Sequence, residues 1–246
     1  MPLLNEFSIQ LFSLRDIVND DFAGTLEKLG CKGFGYTGVE FFNYGGLTVD
    51  EMKKVLSDNK LRPVGSHVGL ARLENTLDEE IAFAKAIGVE YIFCPSSKIR
   101  TRADTLELAG FLTTVTEKVI AAGMKFGYHN HDYEFIKEDG EYLLDILFEN
   151  LPPEAIMELD IFWSDYAGVD SMAYMEKHKS RLEVLHVKQI DKDKNNVELS
   201  KGIIDFADVI TKGKAMGVKE FILEFEEYDI PSLVAAENDI KYIFSL

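Results

Sequence analysis

The chain has 246 residues, 46% of them hydrophobic and 28% charged, enough apolar side chain for a large core and too much for a disordered protein. Lys and Arg total 26 against 43 Asp and Glu, a net charge of −17 that argues against nucleic acid or an anionic membrane as partner. Cys31 and Cys94 lack the paired spacing of a disulfide framework or zinc ribbon, and no leader or ~18-residue apolar window is present, so a cytoplasmic location is expected.

Strand-like and helical segments alternate from the N-terminus onward. A strand over 7–12 precedes DDFAGTLEKLG, which opens on Asp and closes on Gly30; one over 36–41 precedes TVDEMKKVLSDN, with a Thr cap and a capping Glu. Strands over 61–67 and 90–94 lead to TLDEEIAFAKAIG and ADTLELAGFLTTVTEKVIAAG, and strands over 124–131 and 155–160 to EYLLDILFEN and DSMAYMEKH. The last two, 183–188 and 220–226, lead to DFADVITKGKAMG and PSLVAAENDIKYIFS. Eight such units of about 31 residues each predict a single (β/α)8 barrel. A doubly wound sheet is the alternative, but its glycine-rich phosphate loop is missing: the first turn reads FSLRDIVND, and neither GxGxxG nor GxxxxGK[ST] occurs.

Active sites of such barrels form at the C-terminal strand ends, and nearly every strand here ends polar. The residues are Gln10, Glu40, His67, the run His129 to Asp132, Glu158 and Asp160, His186 and Lys188, and Glu224 and Glu226. Period two puts His129 with His131, Glu158 with Asp160, His186 with Lys188, and Glu224 with Glu226 on common faces. Any one of them reads as a hydrogen-bonded strand end. Together, four of the five histidines and this many carboxylates must pair or coordinate a cation, because burying them bare is expensive. A nitrogen and oxygen set without thiolate suits one divalent ion: Mn2+, Mg2+, Fe2+, Co2+ or Zn2+. Such an ion would polarise two adjacent oxygens of a hydroxy-ketone while neighbouring carboxylates move the proton.

The segments YHNHDYEF, MELDIFW, LHVKQ and ILEFEE on successive late strands, together with GVEFF, SHVG and KGIIDFADVI, resemble the sugar phosphate isomerase/epimerase superfamily of xylose isomerase-like TIM barrels, in an HNH variant at strand five. The resemblance covers nearly the whole chain and implies one barrel domain over residues 1–246. It implies one divalent metal, with Asp160, His186 and Glu224 at matching positions and His129 where sugar epimerases carry a Glu. Glu224 would serve as ligand and base together, and the group that returns the proton would be Glu134, His131 or His67. Lys188 would steady the enediolate oxygen, or else form a salt bridge; Gln10, Glu40 and Trp163 are candidate substrate contacts, Trp163 through an aromatic plane or else as core packing. Arg15, Arg72, Arg100 and Arg102 are the loop cations available to a phosphate, which is allowed but not required.

The function expected on this basis is a metal-dependent isomerase or epimerase of a keto-sugar or related polyol. Alternatives are a dehydratase or lyase of a keto-cyclitol or dehydroshikimate-like acid, and a sugar-binding barrel that has lost its chemistry. Endonuclease IV-like activity would need three zinc ions, further ligands and a grip on duplex, against five histidines and a charge of −17. The expected partner is a small carbohydrate or polyol, with no nucleic acid and no membrane; a homo-oligomer is compatible with the sequence.

Overall fold

The computed structural model describes residues 7–227 and 229–246. Its main strands are β1 (Phe7–Gln10), β2 (Gly38–Phe41), β3 (Arg62–His67), β4 (Tyr91–Cys94), β5 (Lys125–His129), β6 (Ile156–Asp160), β7 (Leu182–Val187) and β8 (Glu220–Leu223). All pair in parallel, in the order β1-β8-β7-β6-β5-β4-β3-β2, and the sheet closes on itself as a (β/α)8 TIM barrel. The intervening helices are α1 (Phe22–Leu29), α2 (Val49–Asn59), α3 (Leu77–Ile87), α4 (Arg102–Ala121), α5 (Leu143–Asn150), α6 (Ser171–His178), α7 (Phe206–Met216) and α8 (Ser232–Ser245).

Local chemistry starts and stops these elements. Thr48 and Glu51 close a capping box on α2, and Thr101 with Asp104 does the same for α4, each satisfying N–H groups the helix cannot. Gly88 and Gly217 end α3 and α7 in the left-handed conformation, where a Cβ would be strained.

Several strands stop earlier than their apolar pattern suggests. Gln10 accepts the Phe12 N–H through its side chain and turns the chain into a 3-10 helix, Leu11–Leu14. β5 ends at His129 and β8 at Leu223, so His131, Glu224 and Glu226 lie on the loops that follow. A short helix, Ile161–Tyr166, grows straight out of β6, and two hairpins are also additions to the sequence reading: Lys137–Glu138 with Glu141–Tyr142, and Gln189–Ile190 with Asn196–Val197.

Alternation along the strands divides the core in two. Val64, Tyr91, Phe93, Ile156, Val184 and Ile222 form a small apolar cluster inside the barrel, while Val39, Ile92, Met157, Leu159 and Leu185 join the larger layer beneath the helices. The register then sets polar residues side by side above the interior cluster: Gln10 opposite Glu40, His129 opposite Glu158, and Asp160 opposite His186. Among the described residues, no helix is long and apolar enough to cross a membrane.

On the outside, Asp145 of α5 ties down α6. Its carboxylate accepts from the Tyr174 hydroxyl (2.9 Å), His178 Nε2 (2.7 Å) and Lys177 Nζ (2.7 Å). Burial alone would raise the Asp145 carboxyl; His178, Lys177 and Tyr174 outweigh it and bring the group down to about 2. A carboxyl depressed in the folded state adds stability above its unfolded pKa of ~3.9 and loses it as pH falls through the folded value. Asp145→Asn is therefore expected to cost about 1 kcal/mol at neutral pH, after solvent screening, with the difference from the parent shrinking between pH ~4 and ~2. Urea titrations across that range check this; a pH-independent difference contradicts it.

Candidate active site

Two buried carboxylates form the floor of the barrel mouth. Glu40 and Glu158 are both 0% exposed. Glu40 Oε2 accepts from Gln10 Nε2 (2.8 Å) and His186 Nε2 (2.9 Å) and lies 3.1 Å from His67 Nε2. Glu158 Oε2 meets His67 Nε2 at 2.7 Å and His129 Nδ1 at 3.1 Å, and its Oε1 is 3.3 Å from His186 Nε2. Gly65 makes room for this layer, since a Cβ there would stand 2.4 Å from Glu40 Oε1.

Charge follows from these contacts. Burial would lower the His67 imidazole, but Glu40 and Glu158 outweigh it and push the group up to about 10. His186 rises well above its ordinary value against burial, through Glu158 and Glu224, whereas His129 is lowered by burial and by the neighbouring His186. Glu40 and Glu158 stay below the usual carboxylate range although burial works the other way, Glu158 also against the charge of Glu40. His67 Nε2, which the sequence suggested as an acid/base, is engaged by both carboxylates.

One level higher, four side chains converge. One ligand atom from each of His129, Asp160, His186 and Glu224 lies within 4.8 Å of all the others. Asp160 Oδ1 is occupied by capping the helix after β6, accepting from Phe162 N (2.8 Å) and Trp163 N (3.3 Å). Its Oδ2 is buried with no partner and faces His129 Nε2 at 4.0 Å, while His186 Nδ1 and Glu224 Oε2 stand 3.1 Å apart. Atoms sharing one ion at ~2.0–2.2 Å lie roughly 3–4 Å from one another, so the set fits a divalent cation. The other ring nitrogens are already spent below, His129 Nδ1 on Glu158 and His186 Nε2 on Glu40, an arrangement that aims each remaining nitrogen upward. Burial, then the nearby Glu224 charge against the pull of Lys188, raises Asp160 to about 7, which an ion would relieve. Burial works to raise Glu224 as well, but Lys188 and His186 hold it well below the usual range.

The remaining predicted residues fall into three groups. Lys188 and His131 join the site: Lys188 is fully buried, ion-paired to Glu226, 3.9 Å from Glu224 Oε2, and over the Trp163 and Phe162 rings at 4.7 and 4.8 Å. His131 stacks on Tyr133 with its centroid 5.2 Å from the Trp163 ring; its Nδ1 is buried without a partner, and burial brings it down to about 4. Gln10 and Glu40 lie beneath the site and brace the imidazoles. Glu134 stays apart: it is 0% exposed, accepting from the Tyr128 hydroxyl (2.6 Å) and the His131 N–H (2.9 Å), and so it holds the His131 loop in place. Glu158 is the central residue to which sequence reasoning gave no role; its shared face with Asp160 was the available signal.

Two cavities open above these groups. One, of about 400 Å3, is lined by His67, His129, His131, Glu224 and Glu226, and the other, of about 810 Å3, by Trp163, Lys188 and Glu226 among others.

No protein-family profile matches the chain, and no curated protein sequence matches it. Among solved structures it is similar to a sugar phosphate isomerase/epimerase from Parabacteroides distasonis ATCC 8503, with a TM-score of 0.83, 21% identity, and 98% of each chain covered. It is also similar to the probable 3-DHS dehydratase AsbF from Bacillus anthracis (TM-score 0.78, 13% identity, 97% of this chain and 98% of that one). A third is the IOLI protein with a binding zinc atom (TM-score 0.77, 14% identity, 98% and 97%). The common element is the fold, a closed (β/α)8 barrel.

The geometry predicts one divalent ion per chain for protein purified without chelator. Asp160→Asn should weaken binding by more than tenfold, and Glu40→Gln, which removes none of the four side chains but loosens the His186 ring along with Gln10 and His67, by about tenfold or more. Metal analysis with competition against a chelator checks both; binding unaltered in Asp160→Asn contradicts the assignment.

Proposed function

We propose that the chain is a divalent-metal-dependent isomerase of a keto-sugar or related polyol. The reading is carried by the convergence of two acceptors facing a gap, Asp160 Oδ2 and His129 Nε2, with His186 and Glu224, beside a buried lysine and under a cavity that His129 and Glu224 line. A divalent ion held by these four side chains would supply a Lewis acid to the carbonyl and hydroxyl oxygens of the substrate.

The chain's own residues do the rest. The contacts of the Glu224 carboxylate with His186 and Lys188 fall on Oε2, which leaves Oε1 to take the hydrogen from the hydroxyl-bearing carbon next to the substrate carbonyl. Lys188 brings a fixed positive charge to the oxygen on which negative charge develops, in a site where Phe162 and Trp163 keep water from its ammonium. His131, with Nδ1 unpartnered on the cavity wall, relays the hydroxyl proton as carbonyl and alcohol exchange places.

The arrangement favours isomerisation over epimerisation. Two opposed carboxylates would be needed to invert a centre from both faces, and the strand-five place is taken by His129. Glu40 and Glu158 lie under imidazoles, and Glu226 is paired with Lys188. One carboxylate, Glu224, therefore takes the proton and returns it to the neighbouring carbon.

In deuterium oxide, a panel of ketoses and keto-cyclitols should yield a turned-over substrate whose product carries solvent deuterium. Glu224→Gln is expected to abolish exchange, with metal content measured in parallel to separate loss of the base from loss of the ion. His131→Gln should lower kcat by about 100-fold or more while exchange persists. A product that keeps all its hydrogen, or one lighter by water, contradicts the proton-transfer isomerase.

A further inference from the structure

The larger cavity is not needed for this chemistry. It lies between the helix Ile161–Tyr166 and the hairpin Gln189–Ile190 with Asn196–Val197, and it meets the cavity over the catalytic groups at Glu226, which lines both. Each, at about 400 and 810 Å3, falls in the range of ~300–1,000 Å3 typical of small-molecule sites. A single sugar ring over Glu224 and His131 would leave the second one empty.

The walls of the second cavity select for chemistry. One side is aromatic, with Trp163 and Tyr166 at 5.5 Å between centroids. The Trp163 Nε1 is buried with no hydrogen-bond partner. The lining also includes Glu227 and Asp229, exposed carboxylates that accept hydrogen bonds from hydroxyls. An aromatic plane against C–H groups, with carboxylates facing O–H groups, is the complement of a sugar ring.

The cations that line the two cavities are already engaged. Lys188 pairs with Glu226 and Lys201 with Glu198; Lys194 donates to the Tyr166 carbonyl at 2.7 Å, and Arg72 is held by Glu80 and by the Phe42 carbonyl. A phosphate entering here would have to break one of these contacts while facing Glu227 and Asp229.

From this geometry we infer that the substrate is an uncharged, unphosphorylated two-ring sugar, a glycoside whose reacting ring lies over Glu224 and His131 and whose second ring lies against Trp163 and Tyr166. For the reacting ring this rests on the function proposed above; the second-ring site stands on its own contacts. The hairpin forms its outer wall, tethered to the short helix by the bond from Lys194 to the Tyr166 carbonyl.

Ligand-observed NMR and calorimetry on the metal-loaded protein, with cellobiose, trehalose, glucose, cellobiose 6-phosphate and chitobiose amine as probes, test this without requiring turnover. At least one neutral disaccharide should bind about tenfold tighter than glucose, and Tyr166→Ala should reduce that disaccharide-to-monosaccharide ratio about tenfold. Trp163→Leu should reduce the ratio further, and circular dichroism checks that both variants fold. Equal affinity for disaccharide and glucose, no binding of either disaccharide, or an unchanged ratio in both variants overturns the second-ring site. Tighter binding of the phosphorylated or amino sugar overturns its uncharged character. Binding as expected with no α-hydrogen exchange on any keto-sugar would leave the second-ring site standing and remove the isomerase, so the two readings fail separately.

Discussion

The site rests on two carboxylates buried in the middle of the barrel. Glu40 and Glu158 have no access to solvent, and what makes their burial tolerable is three imidazoles packed against them. A lone buried carboxylate would protonate, while one set among imidazoles can keep its charge. Gln10 adds a further contact on Glu40 Oε2 at 2.8 Å, whereas Glu40 Oε1 and Glu158 Oε1 are buried with no hydrogen-bond partner. Removing either glutamate would leave imidazoles without an acceptor in the barrel interior, a loss of several kcal/mol for a buried pair.

The ionic layer also orients what lies above it. Each imidazole has two nitrogens, and a nitrogen committed below fixes the ring and determines which lone pair faces upward. This is why His129 and His186 face Asp160 and Glu224 rather than the carboxylates of their own layer alone. The same holds for Asp160, half of whose carboxylate starts a helix and so cannot rotate away. Strand register, glycine spacing at Gly65 and helix capping thus converge on the positions of the four side chains that could hold a metal ion, and the roles proposed for Glu224 and Lys188 depend on them.

Much of this was legible in the sequence. Period two along each strand, together with the rule that barrel sites form at C-terminal strand ends, gave the polar candidates, and the family resemblance picked out from them His129, Asp160, His186 and Glu224, which the structure brings within 4.8 Å of one another. The same reasoning could not rank depth. Gln10 and Glu40 were read as substrate contacts but lie one layer down, and Glu158 had no role assigned although three histidines meet it. Depth depends on the tilt and closure of the barrel, which no local pattern encodes. Glu134 misleads for another reason: it follows the strand-five segment closely, but a 3-10 turn at Tyr133–Phe135 folds it back onto Tyr128 and the His131 N–H. The hairpin that walls the larger cavity was invisible because two-residue strands leave no periodicity to read.

Anomalous diffraction at the absorption edge of a bound ion, from crystals of protein loaded with Co2+ or Zn2+, tests the central claim most directly. One peak within ~2.0–2.3 Å of His129 Nε2, Asp160 Oδ2, His186 Nδ1 and a Glu224 oxygen is the result predicted. A peak in the lower layer between His67 and Glu158, or no peak at the barrel mouth in metal-saturated crystals, would contradict it.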